Sequence, residues 1–312
     1  MQVYHSLNEV PYIGNAVVTI GNFDGVHLGH VQILQNLMQH KLAGMQSMVI
    51  TMWPHPRKVL HTSAQELRFL TSIDEKIELL QNLGLDHLLI IPFTASFAQL
   101  TAESFVKKVL CDCVGVKKIV LGYDHRFGRN REGGLELLSQ LAPLYGFELE
   151  EIPKQEVDNL AISSSKIREF LALGQMENVK ALLGRQYSIS GKVVEGNKLG
   201  RTIGFPTANI SLSFTEKLVP KTGVYAVLVK VGQNHYQGMM NIGYRPTISE
   251  SALTLEVHIF DFTEDIYNQS ITVFFVQYLR DEQKFASVED LKKQLHADKE
   301  LAVSLLRKEV VL

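Results

Sequence analysis

TIGNFDGVHLGH, residues Thr19 to His30, is where a short aliphatic run gives way to an amphipathic segment, and it decides how the chain is read. Ala16 to Phe23 predicts a strand and about Leu28 to Gly44 a helix, so strand, tight turn and helix start meet at one point. In an open parallel sheet ligands collect beyond the carboxyl ends of the strands, and a helix N-terminus offers unpaired backbone N–H groups to phosphate. Gly25 and Gly29 permit close backbone approach there. His27 and His30 can donate hydrogen bonds to phosphate oxygens, where charge accumulates as pyrophosphate departs. A single histidine here would be read as an ordinary helix-start residue; the combined run points instead to nucleotidyl transfer.

Working outward, the pattern of that strand and helix repeats. Ser47 to Met52, His87 to Phe93, Lys117 to Asp124 and Phe147 to Ile152 are short apolar runs separated by amphipathic segments, which predicts α/β structure with a parallel sheet buried on both faces. Ser72 and Glu75 form a capping-box signature ahead of Ile77, Leu80 and Leu83, with Gly84 as the stop. After Pro153 a polar stretch leads to Ser163, Ser164 and Ser165, then to helical segments Ile167 to Leu173 and Met176 to Leu183, ending at Gly184. From Tyr187 the style changes to alternating strands between Gly, Pro and Asn clusters: Ile189 to Val194, Val224 to Val231, Leu253 to Phe262 and Ile271 to Tyr278. This half reads as an antiparallel barrel. Ser287 and Asp290 open a closing helix whose Leu291, Leu295, Leu301 and Leu305 would pack on the barrel's outside.

The bulk numbers agree with two ordinary folded domains. The chain has 312 residues, 46% hydrophobic and 21% charged, with a formal net charge of -2. That balance lacks the basic excess of a nucleic-acid binder, so no nucleic acid partner is expected. Cys111 and Cys113 point apart on a helix and are read as bystander thiols. No apolar run is long enough to span a bilayer and no leader pattern opens the chain, so the expected location is the cytoplasm, with no membrane partner. Nothing in the sequence specifies an oligomer.

The second half carries its own candidate site. Gly191 to Gly196 and Gly200 to Asn209 are rich in glycine, and Thr207 and Asn209 offer oxygens suited to Mg²⁺, a hard cation. Composition alone would make this a glycine-rich hairpin connection. In Leu253 to Phe262, alternation sets Leu255, Val257 and Ile259 on one face and Glu256 and His258 on the other, which makes Glu256 a candidate general base against the plainer reading of a solvated charge. The serines 163 to 165 at a helix start, with Arg168 one turn on, make an anion site or a simple N-cap.

TIGNFDGVHLGH, Pro54-His55-Pro56, Gly122-Tyr123-Asp124-His125-Arg126-Phe127-Gly128-Arg129 and Ile162 to Arg168 together resemble the bacterial bifunctional riboflavin kinase/FAD synthetase family. Gly204-Phe205-Pro206-Thr207-Ala208-Asn209 looks like the riboflavin kinase signature, and Gly223 to Val227, Asn241 to Thr247 and Arg280-x-Glu282-x-Lys284-Phe285 resemble its later motifs, so the likeness covers almost the whole chain. It implies a Rossmann-like nucleotidyltransferase domain with a parallel sheet over residues 1–184, and a small antiparallel β-barrel kinase domain with a C-terminal helix over 185–312. The implied reactions are phosphorylation of riboflavin to FMN and adenylylation of FMN to FAD with release of pyrophosphate, with ATP as co-substrate, flavins as substrate and product, and Mg²⁺ or another divalent cation. By resemblance Asn22, His27 and His30 hold ATP phosphates, with Asp24, Gly25 and Gly29 around them. Asp124 contacts the nucleotide or metal region, Ser164, Ser165 and Arg168 form a second phosphate wall, and Arg126, Gly128 and Ser163 join the ATP and FMN contacts. In the kinase half the implied ATP and riboflavin contacts are Gly200, Arg201, Gly204, Phe205, Pro206, Thr207, Asn209 and Arg280, with Thr207 and Asn209 toward the metal and Glu256 toward the riboflavin hydroxyl. The alternative is a nucleotidyltransferase for another phosphorylated acceptor beside a non-catalytic barrel.

Overall fold

The computed structural model describes residues 1–60, 67–122, 125–152, 162–196, 199–246 and 251–307. It forms two compact units, Met1–Ser164 and Ser165–Leu312.

The first unit is a parallel sheet of β1 (Gln2–Tyr4), β2 (Ala16–Ile20), β3 (Gln46–Trp53), β4 (His87–Pro92), β5 (Val116–Gly122) and β6 (Glu148–Ile152), in the order β1-β4-β3-β2-β5-β6. Alternate side chains explain why the middle strands read as unbroken apolar runs. Val18, Ile20, Met48, Ile50 and Leu89 enter one buried cluster, while Val17, Val49, Leu88, Ile90 and Val120 enter another. Burial on both faces does not extend to β6, an edge strand whose Glu148 and Glu151 are exposed. The end of the expected strand at Asp124 lies outside the described residues.

β2 stops at Ile20 rather than Phe23, because Phe23 takes φ 47 and leaves the ladder geometry. The helix after it, α1, spans Leu28–Gln39 and ends short of the expected Gly44: Lys41 beyond its end is drawn to Asp86, 2.6 Å away, and Gly44 turns the chain at φ 82. α2 (Ile73–Asn82) has the expected capping box, Ser72 Oγ accepting from the Glu75 N–H while Glu75 accepts from the Ser72 N–H. Cys111 and Cys113 lie in a widened π-helical stretch, Val106–Val114, and burial, with Asp112 adding to it, pushes the Cys111 thiol up to about 11.

The second unit holds α3 (Ser164–Leu173) from its second residue on and α4 (Met176–Leu183), followed by a closed barrel of β7 (Tyr187–Val194), β8 (Ala208–Leu212), β9 (Gly223–Val231), β10 (Asn234–Pro246), β11 (Ser251–Ile259) and β12 (Ser270–Arg280). The compact units divide after Ser164, and α4 packs on β7 and β12 of the second. β8 and β10 complete the barrel without having been expected as strands. Tyr225, Val227, Val229, Val257, Val273 and Phe275 are buried on one face of it; Ala226, Leu228, Met239 and Phe260 form another cluster with Ala302 and Leu306 of α5 (Val288–Leu306). Leu301, expected to face the barrel, is 47% exposed, and Asp298 takes a place in the buried stripe instead.

Candidate active sites

The turn after β2 is held in a conformation that few residues accept. Phe23, Gly25 and Val26 have φ of 47, 85 and 37, and at Gly25 a Cβ would come within 2.8 Å of Leu70. For a β-branched residue such as Val26 this is a strained backbone, maintained only where its surroundings over-determine it. The surroundings here do so. The buried Asp24 carboxylate accepts from the Leu70 N–H at 3.0 Å, the Thr71 N–H at 3.2 Å and the Thr71 hydroxyl at 3.3 Å. Gly25 N–H donates to Thr71 Oγ1, and Ser164 Oγ donates to the Asp24 carbonyl at 2.9 Å. Asp24, expected among the ligand contacts, is therefore engaged in shaping the turn.

His27 caps α1: its Nδ1 accepts the His30 N–H at 3.3 Å. In the neutral ring the proton then sits on Nε2. Gly29 leaves room for this cap, since a Cβ there would lie 3.2 Å from His27 Nδ1. The His30 ring stacks on His27 with centroids 3.6 Å apart and meets the edge of Phe23 at 5.1 Å. Asn22 joins them with its carbonyl accepting from Lys76 Nζ at 2.6 Å, while its side-chain Oδ1 is buried with no hydrogen-bond partner among the described residues.

Lys76 was singled out by no motif, yet it is almost fully buried beneath this turn, 5.6 Å from the Trp53 ring centroid. Burial pushes its ammonium down to about 8, against the opposing pull of Asp24. Between that value and the ordinary 10.5 the unfolded chain holds the proton and the folded chain does not. Lys76 therefore contributes a rise in folding stability with pH across this window, on the order of 3 kcal/mol, while the raised Cys111 thiol pulls the other way above pH 9. Urea unfolding of the protein and of Lys76→Met at a series of pH values checks this: the stability difference between the two should move in favour of the wild type by that amount as the pH rises.

The remaining candidates of this unit are spread more widely. Asp124 lies outside the described residues. Arg126 packs over the bare Gly134, and Gly128 (φ 75) is required by Ala102, whose Cα would meet a Cβ at 2.7 Å. The chain around them forms a small bridge, Phe127 N–H to the Gly133 carbonyl and back. Beyond the ends of β3, β4 and β5 lies a cavity of about 150 Å³, walled by Met52, Phe93, Phe97, Phe105 and Phe127 with Arg131 at its edge. Ser163 is exposed and Ser164 begins α3; Ser165 and Arg168, further along that helix, belong to the second unit.

In the barrel, strand register assembles the other site. Glu256 of β11 pairs with Asn209 of β8 on one side and Asn241 of β10 on the other. These residues, with Thr207, Gly200 and Arg280, line a cavity of about 340 Å³. The glycines have separate duties. Phe205 N–H donates to the Gly200 carbonyl at 2.8 Å, Gly204 turns at φ 87, and Gly196 leaves the Asn209 amide the space a Cβ would fill. Arg201 and Pro206 line a second cavity of about 520 Å³ with Val193, Phe262 and Tyr267, and Thr207 borders both. Gly204 and Phe205 border a third with His258 and His296, and Phe205 and His258 also line the first.

Arg280 lines the first cavity but its guanidinium is committed to Asp298, Nε to Oδ1 at 2.9 Å and Nη2 to Oδ2 at 2.7 Å, with Gln294 also donating to Oδ1. Asp298 has 3% of its side chain exposed, so this pair fastens α5 to the end of β12. Breaking it removes the charged partner of a half-buried guanidinium, and Asp298→Ala should destabilise the second unit by about 1.5–3 kcal/mol, read from its denaturant midpoint. Among the described residues no three His, Cys, Asp or Glu gather as a metal site, and no helix is long and apolar enough to cross a membrane.

Two family models divide the chain: FAD synthetase matches residues 11–166 and riboflavin kinase matches 183–306. Bifunctional riboflavin kinase/FMN adenylyltransferase of Escherichia coli strain K12 is 39% identical over 296 residues, 94% of this chain and 93% of the relative. The chain belongs to the bifunctional riboflavin kinase/FMN adenylyltransferase family. The relative of that name from Buchnera aphidicola subsp. Schizaphis graminum is 40% identical over 303 residues, covering 95% of each chain. A crystal structure described as a macrolide-efflux protein from Streptococcus pneumoniae superposes with a TM-score of 0.88 at 30% identity, covering 99% of each chain. With the riboflavin kinase model spanning the barrel, the alternative of a non-catalytic barrel falls away.

Proposed function

We propose that this bifunctional enzyme makes FAD in two separate centres: residues 1–184 transfer the adenylyl group of ATP to FMN, and residues 185–312 phosphorylate riboflavin. The observation that carries the kinase assignment is the register that flanks Glu256 with Asn209 and Asn241 on the cavity that Thr207 also lines.

In the kinase centre, riboflavin fits the more enclosed cavity and ATP the larger one, since Thr207 borders both and would face the γ-phosphate where they meet. Glu256 takes the proton of the riboflavin 5'-hydroxyl as its oxygen bonds to the γ-phosphorus and the bond to the β–γ bridging oxygen breaks, releasing ADP. Thr207 and Asn209 present oxygens alone, a donor set that fits Mg²⁺ completed by ATP phosphates; when bound, the cation offsets phosphate charge. Gly200, Arg201, Gly204, Phe205 and Pro206 shape the walls, and Arg280 supports them through Asp298.

In the adenylyl centre, an FMN phosphate oxygen attacks the α-phosphorus and pyrophosphate leaves. His27 and His30 donate to the phosphates as charge moves onto the leaving group, and the N-terminus of α1 adds to that field. The phenylalanine-walled cavity suits the apolar dimethylbenzene edge of the flavin ring, a feature that no sequence motif signalled. Ser163 and Ser164 supply hydroxyls beside the turn, where Ser164 Oγ donates to the Asp24 carbonyl, and Arg126 serves the nucleotide.

Product chromatography tests the reading. Purified protein with riboflavin, ATP and Mg²⁺ should yield FMN and FAD, and with FMN in place of riboflavin should yield FAD. FMN alone would confine activity to the barrel, and neither product would overturn the proposal.

A further inference from the structure

The corner Phe205-Pro206-Thr207 has to set Thr207 against Glu256, and proline contributes no N–H with which to fasten it. The structure supplies an outside tether. His258, two residues beyond Glu256 on the same face of β11, brings Nδ1 to 2.7 Å from the Pro206 carbonyl oxygen. A carbonyl only accepts, so Nδ1 is the protonated nitrogen. His258 is 7% exposed, and burial pushes its pKa below the ordinary histidine value, opposed by the Pro206 hydrogen bond; the ring is neutral near pH 7. The carbonyl of Pro206 and the amide of Thr207 share one rigid peptide plane, so fixing the former fixes the direction in which Thr207 leaves the corner. The Phe205 ring is held edge-on by His258 at 5.2 Å and by His296 of α5 at 5.0 Å. One imidazole therefore ties the corner to the strand that carries the base.

We propose that His258 is a positioning residue for riboflavin phosphorylation, holding the Pro206–Thr207 peptide so that Thr207 and Asn209 stay aligned with Glu256. The inference rests on the kinase centre assigned above. Misplacement of a positioned group by about 1 Å can cost roughly a hundredfold in rate, which sets the scale of the effect.

Three chains test it: wild type, His258→Phe, which keeps an aromatic ring without the donor, and His258→Asn, whose amide can restore a donor near the Nδ1 position. Steady-state kinetics of riboflavin phosphorylation should show kcat reduced roughly 10- to 100-fold in His258→Phe with the KM for riboflavin within about 2-fold of wild type. His258→Asn should recover most of the loss. FAD formation from supplied FMN should be unchanged in all three and serves as the internal control. Wild-type kcat in His258→Phe, a rise in KM alone, or equal defects in the two variants would overturn the proposal, the last because it would reduce His258 to packing. Failure of the underlying site has its own signature, since it would leave FMN formation intact in Glu256→Ala.

Discussion

Glu256→Ala should lower FMN formation from riboflavin by about 10²–10⁴-fold while leaving FAD formation from supplied FMN at the wild-type rate. The carboxylate is half-buried between Asn209 and Asn241, on the wall of a cavity shared with Thr207, so its removal takes away the group placed to accept the hydroxyl proton. Alanine retains strand geometry and the ladder that runs through position 256, which makes unfolding a poor explanation for the loss. Measuring both activities on one preparation supplies the control. A variant that still phosphorylates riboflavin at more than about a tenth of the normal rate would remove Glu256 from the role of base.

His30→Ala should give the mirror image: FAD formation from FMN reduced about 10²–10³-fold, FMN formation unchanged. The His27 cap uses the backbone N–H of residue 30, which alanine keeps, so α1 retains its start. What disappears is the ring stacked on His27 and its donor to the phosphates. Loss of both activities in either variant would undo the division of labour between the two centres.

Much of this was legible from residue order alone, and the exceptions have physical causes. β2 to β6 of the parallel sheet and the Ser72–Glu75 cap are local patterns, set by alternation and by side chains three residues apart. β8 and β10 were not legible because ANISL and NHYQGMMNIGYRP lack a sustained β-branched run; they are strands because closing the barrel pairs them on both sides. The same limit governs side-chain roles. Asp24 sits in a ligand-binding motif, but the amides of Leu70 and Thr71 reach its carboxylate from a distant segment. Arg280 is met by Asp298 of α5, and Lys76, which no pattern marks, lies beneath Asn22. Sequence indicated which residues crowd the site; only long-range contacts separate those that can face a ligand from those that hold the others still.

The ends of the parallel sheet bear on how the protein behaves in a crowded solution. An open sheet leaves a row of unpaired amides and carbonyls at each border, a template on which another chain can add a strand and begin aggregation. Here one border is β1, three residues long, too short to seed a lasting pairing. The other is β6, which carries Glu148, Glu150 and Glu151 within five residues, so an identical strand approaching it would bring carboxylates against carboxylates. Lys118 of the neighbouring strand engages Glu150 at 3.2 Å and Glu148 at 3.7 Å, steadying this acidic rim without neutralising all of it. Replacing those glutamates would therefore leave both chemistries in place and cost the protein its colloidal tolerance.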